Sequence, residues 1–243
     1  MIRHRSTALA GCGAALLCNY WLLESWLAER TDTPRSWISD IATRTEATGW
    51  RFQALAILSG LAICAFALLL RRVVAISVAT RLKWRPPGSV VPGERLIRQG
   101  LIALLAAGAL VAVAGAAPLS CPEGIEPRCA LAGDPLDVVH ALATGGEIIA
   151  TTLAFLLLGL GQLRGRPLGR IAAQRSAAPW EAGWVTLAIG AIWLALTAAT
   201  ALAYVSGDVD AVKGVLQRAA QVMFGVWLVL LGWWFDREPA ESG

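Results

Sequence analysis

Few side chains in this sequence could carry out chemistry, and most of them sit inside long apolar runs. The densest group is His140, Thr144, Glu147 and Thr151, spaced i, i+4, i+7 and i+11. On a helix that spacing puts all four on one face. Asp137 extends the stripe by one turn. His140 could serve as a general acid or base, or as a metal ligand. Asp40 and Glu147 could supply carboxylates that orient it or share a metal. Arg218 could hold an anionic head group such as a phosphate through its forked N–H donors. Gln217, Thr144 and Tyr204 are the polar groups that would complete a substrate pocket around them. Other polar positions could face the same stripe: Asn19, Tyr20 and Glu24; Thr197 and Thr200; Lys213 and Gln221. A second reading of Arg218 makes it the ion-pair partner of Glu147 or Glu24, since an unpaired Arg in lipid costs at least about 2.5–3.5 kcal/mol.

The catalytic pattern is incomplete. No H-E-x-x-H, G-x-S-x-G, P-loop or dinucleotide fingerprint occurs in the sequence, and these are the spacings that place a nucleophile, metal or phosphate cradle. His4 is the only other histidine. A site built on several histidines of one chain is therefore excluded, and no cofactor is called for.

The elements that must position these residues are legible from hydropathy. Of 243 residues, 56% are hydrophobic and only 16% charged, against roughly 25% charged in a soluble domain. Mean hydropathy is +0.59. A membrane-crossing helix needs about 20 mostly apolar residues. Six segments qualify, at approximately 7–28, 52–78, 99–119, 136–163, 182–205 and 212–235. The chain is thus expected to be all-α, a single integral membrane domain over 1–243 with six transmembrane helices. The first segment has a signal-peptide flavour, with Arg3 and Arg5 before it and Leu9-Ala10-Gly11-Cys12 within it. The apolar stretch ahead of Cys12 is too short for a signal peptide, so this segment is expected to stay as an anchor. Small residues at four-residue spacing, Gly108, Ala112 and Ala116 and again Ala191, Ala195, Ala199 and Ala203, predict two close helix-packing faces.

Charge then sets orientation. The net charge is +4, which in a soluble protein would suggest nucleic acid. Here about two thirds of the Lys and Arg residues fall on the side that carries both termini, and basic residues accumulate on the cytoplasmic side. Both termini are therefore expected in the cytoplasm of a cell membrane, with an acidic outer face. Tryptophans near the segment ends, such as Trp26, Trp50 and Trp180, fit an interfacial belt. Cys121 and Cys129 share an outer loop, where an oxidising compartment favours a disulfide. Two alkylatable outer thiols before reduction would sink that bridge. The other cysteines, Cys12, Cys18 and Cys64, read as inert apolar residues in helices.

Ser39-Asp40-Ile41-Ala42 after the first segment, Ala47-Thr48-Gly49-Trp50 leading into the second, His140 in the fourth, and Gly214 with Gln217-Arg218 opening the sixth occur in an order that resembles the "domain of unknown function 998" family of bacterial membrane proteins. The resemblance implies a six-helix membrane bundle over roughly residues 10–235, with characteristic polar positions at Asp40, His140 and Arg218. It implies no activity, and the Cys121–Cys129 loop is no part of the family pattern. Two functions remain. One is a lipid-binding or accessory bundle with an outward-facing polar pocket for a lipid or small molecule and no nucleic-acid partner. The other is an enzyme, a hydrolase or transferase acting on a lipid or prenyl substrate at the outer leaflet. Neither inverted repeats nor a broken-helix pair is evident in the sequence, which argues against a secondary transporter.

Overall fold

The computed structural model describes residues 6–27, 36–82, 93–122, 134–164, 179–206 and 212–236. Every regular element among them is helical. In hydrocarbon no water is present to bond backbone N–H and C=O groups, and a helix pairs them within the segment. Five helices are long and apolar enough to cross a membrane: α3 (Gly49–Leu82), α4 (Glu94–Ala116), α5 (Pro135–Arg164), α6 (Pro179–Ser206) and α7 (Lys213–Asp236). The sixth span is broken. It consists of α1 (Ser6–Cys18), a short 3₁₀ turn (Tyr20–Leu23) and α2 (Glu24–Leu27), bent by 53°.

That break corrects the single continuous helix expected over 7–28. Its cause is local. Asn19 donates from Nδ2 to the Ala15 carbonyl at 2.9 Å, and Trp21 Nε1 donates to Asn19 Oδ1 at 3.2 Å. Side-chain bonds of this kind compete with the regular ladder and bend helices. Gly225 on α7 makes room for the Asn19 amide, which would lie only 2.5 Å from a Cβ there. The boundaries also shift elsewhere. α4 starts earlier than expected, at Glu94, and stops before Pro118, since the residue preceding a proline is pushed out of helical geometry.

The six spans close into a ring in which each packs chiefly on its two neighbours in sequence, and α7 returns to α1. The start of α1 and the end of α7 meet at one end, where Thr7 Oγ1 and Ala8 N donate to the Asp236 carboxylate. This end of the ring is filled. Phe66, Leu70, Leu101, Phe155, Leu158 and Trp227 are essentially inaccessible, and the Phe155 and Trp227 ring centroids lie 4.2 Å apart. Leu142, Ile149, Leu153 and Leu156 of α5 point outwards, the side a bilayer would cover.

Of the two small-residue stripes, the one on α4 packs through its first two members: Gly60 of α3 approaches Gly108 and Ala112 backbone to backbone, while Ala116 is exposed. The α6 stripe does not. Ala191, Ala195 and Ala199 are exposed, and only Ala203 is buried. α6 instead packs through Gly183 on Leu163 and Gly190 on Phe155, because the glycines, not the alanines, occupy the face turned towards α5.

Candidate functional site

The loop end of the ring is held by a buried cation. Arg218, on the first turns of α7, is 4% exposed, as is Glu24 of α2. Arg218 Nη2 donates to Glu24 Oε2 at 2.6 Å. Nη1 donates to the carbonyls of Ser36 at 2.9 Å and Gly214 at 3.1 Å, and the guanidinium lies over the Trp21 ring, 5.7 Å from its centroid. The break in the first span is what brings Glu24 here. One residue earlier, Gln217 Oε1 accepts from the Ile38 amide at 2.7 Å. Residues 36–42 are thus strapped onto α7. Asp40 serves the strap itself, accepting from the Trp37 amide at 2.6 Å, while Ile38, Ile41 and Ala42 pack with Phe52. Lys213, also buried, sits 5.7 Å from the centroid of Trp37.

A second joint ties α4 to α5. Asp137 at the start of α5 accepts from Ser120 N at 2.7 Å and Ser120 Oγ at 2.6 Å. His140 Nδ1 faces the carbonyls of Ala114 at 3.0 Å and Ala117 at 2.9 Å. The last carbonyls of a helix have no partner within it, so this ring nitrogen, protonated, caps α4. Arg44 crosses from the strap to Asp134 and lies 3.8 Å from Asp137. Its hydrogen bond, and then that of the Leu136 amide, holds the Asp134 carboxyl below its ordinary value.

The third polar group lies deep in the ring. Glu147 sits about 18 Å along α5 from Pro135 at 1.5 Å per residue, well inside the span. Thr151 Oγ1 donates to Glu147 Oε1 at 3.2 Å. Across the ring, Glu147 is close enough to the Cys18 thiol of α1 to act on it electrostatically, and Ser59 of α3 lies beside that thiol. Gln221 of α7 donates from Nε2 to Cys18 O at 3.1 Å and to Cys18 Sγ at 3.4 Å. Four helices therefore converge on one polar node, with Phe155, Trp193 and Phe224 on the side towards the termini. Glu147 keeps partial exposure.

The residues singled out by spacing are accordingly split among three places. Arg218, Gln217 and Asp40 belong to the strap, His140 to the α4–α5 joint, and Glu147 to the node. His140 and Glu147 bond neither each other nor Asp40. Thr144 is half-buried on α5 between the last two. Tyr204 is in α6, with its side chain outside the described residues. Cys121 is described, but Cys129 lies outside the described residues. Of the alternatives for Arg218, Glu24 is the partner and Glu147 is not. Sequence reasoning missed Cys18 and Ser59. The lone hydroxyl in the apolar stretch 54–70 of α3 is the signal that could have found Ser59. Among the described residues no cluster of three or more His, Cys, Asp or Glu side chains could hold a metal.

A family model described as "Protein of unknown function (DUF998)" matches residues 9–234. No curated protein matches the chain, and no solved structure does.

Proposed function

The chain belongs to the DUF998 family, and from that membership we propose a non-catalytic role: a multi-pass protein of the cell membrane that holds a ligand, lipid or small molecule, in the loop-facing half of its ring. The basic bias of the sequence supports cytoplasmic termini. The observation that carries the reading is the node at Glu147. A carboxylate deep in a transmembrane bundle is costly, and this one is not needed to offset Arg218, because Glu24 does that. Packing alone does not account for it. The contacts of His140, Asp40 and Arg218 weigh against the enzymatic reading. Each is occupied by a backbone carbonyl, a backbone amide or a carboxylate, and none points at a shared reacting atom.

Native mass spectrometry of the protein extracted from its own membrane tests this. A retained lipid or small molecule is expected on the wild type. His140→Ala should lose about 1–2 kcal/mol of stability, the cost of uncapping the two part-buried carbonyls it faces, yet keep that adduct. A wild type that carries no adduct would defeat the ligand-binding reading. Turnover of a lipid substrate that His140→Ala abolishes without destabilising the fold would restore the enzymatic one.

A further inference from the structure

We propose that the node formed by Cys18, Ser59, Glu147 and Gln221 is a binding site for a monovalent cation, an inference that rests on the reading of this half of the ring as a ligand chamber. Three features of the node point to positive charge. The first is the broken span. α1 stops at Cys18, so its C-terminal end, the negative pole of the helix dipole, terminates inside the bundle. Half-helices ending at membrane depth are how membrane proteins present carbonyls to small cations. The Cys18 carbonyl accepts one N–H from Gln221 and retains a second lone pair.

The second feature is the carboxylate. Thr151 bonds Glu147 Oε1, and Oε2 has no hydrogen-bond partner among the described residues. Neither Arg218, committed to Glu24, nor any other basic side chain among the described residues forms an ion pair with Glu147. The third is the set of spare acceptors around it. Gln221 spends its Nε2 on Cys18, which leaves its Oε1 as an acceptor without a partner among the described residues. Ser59 Oγ is fully buried, lies beside the thiol, and meets no partner at hydrogen-bonding geometry. Carbonyl, hydroxyl, amide and carboxylate oxygens are the ligands of hard cations, and they equally accept the N–H groups of an ammonium. One carboxylate supplies one compensating charge. That count selects a monovalent ion, and the lack of a cluster of three or more His, Cys, Asp or Glu side chains among the described residues disfavours a divalent or transition metal.

The shared chemistry is a single positive charge, carried either by an alkali metal ion or by a protonated amine. Thermal unfolding of the purified full chain in detergent separates them. Sodium, potassium and methylammonium chloride are titrated separately, with ionic strength held constant by N-methyl-D-glucamine chloride. At least one ion is expected to raise the wild-type Tm saturably by about 2–4 °C. Response to sodium or potassium assigns an alkali ion; response to methylammonium alone assigns an amine. Glu147→Gln keeps the side-chain shape and should weaken the response at least tenfold. Gln221→Leu should weaken it several-fold and serves alone if Glu147→Gln does not fold. No response of the wild type to any ion, or equal responses of wild type and Glu147→Gln, overturns the proposal. A retained adduct with no cation response defeats the cation site only; neither adduct nor response defeats the ligand chamber as well.

Discussion

Replacing Arg218 with Ala is expected to cost about 3–5 kcal/mol of stability, the usual penalty for removing one member of a buried ion pair. The substitution strands Glu24, 4% exposed, without its cation. It also releases the Ser36 carbonyl, and with it the anchor of the strap on α7. The contact with the Trp21 face is lost too. Thermal unfolding in detergent should show this as a Tm lower by roughly 6–20 °C. The double variant Glu24→Leu/Arg218→Met should recover most of the loss. Packed apolar residues replace a buried pair at little cost, whereas a widowed charge is expensive. A single variant within about 1 kcal/mol of wild type, less than the usual cost of even one stranded buried hydrogen-bonding group, would show that the pair does not hold the loop end.

Gly60→Val should be nearly as damaging, by about 3 kcal/mol or more, through overpacking. A Cβ at Gly60 would stand 2.5 Å from both the Ala112 amide nitrogen and the Gly108 carbonyl oxygen. Those are backbone atoms that cannot turn aside, so α3 and α4 would have to separate along their whole contact. Gly145 is the control. Nothing lies within 4 Å of a Cβ there, and Gly145→Ala should be neutral or stabilising by up to about 1 kcal/mol, because alanine is the better helix former. The paired measurement is unfolding of both variants in the same detergent. Equal behaviour of the two would refute the close crossing.

How much of this was written in the sequence differs from residue to residue. The stripe His140, Thr144, Glu147 and Thr151 is correctly one helical stripe, yet it does not form one site. α4 ends at Ala116, and its uncapped carbonyls come to lie beside His140. Two turns further along α5 the end of α4 is out of reach, and Glu147 looks into the ring instead. Periodicity specifies which residues share a face; what that face meets depends on where the neighbouring helix stops. The small-residue stripes make the same point. Gly108 and Ala112 meet Gly60, while the equally spaced alanines at 191, 195 and 199 are exposed.

By itself the sequence determined the helical spans and the membrane class, because a stretch of apolar residues in lipid must satisfy its own backbone whatever surrounds it. It also required some anionic partner for Arg218, a head group or one of two carboxylates, since an unpaired cation at that depth is too costly to keep. Only the tertiary structure decided which carboxylate. The choice of Glu24 over Glu147 follows from the bend at Asn19, which depends on the space that Gly225 of α7 leaves for the Asn19 amide. Pairing Arg218 with Glu24 leaves Glu147 facing the end of a broken helix. That juxtaposition arises from packing between segments more than a hundred residues apart, and no local pattern in the chain encodes it.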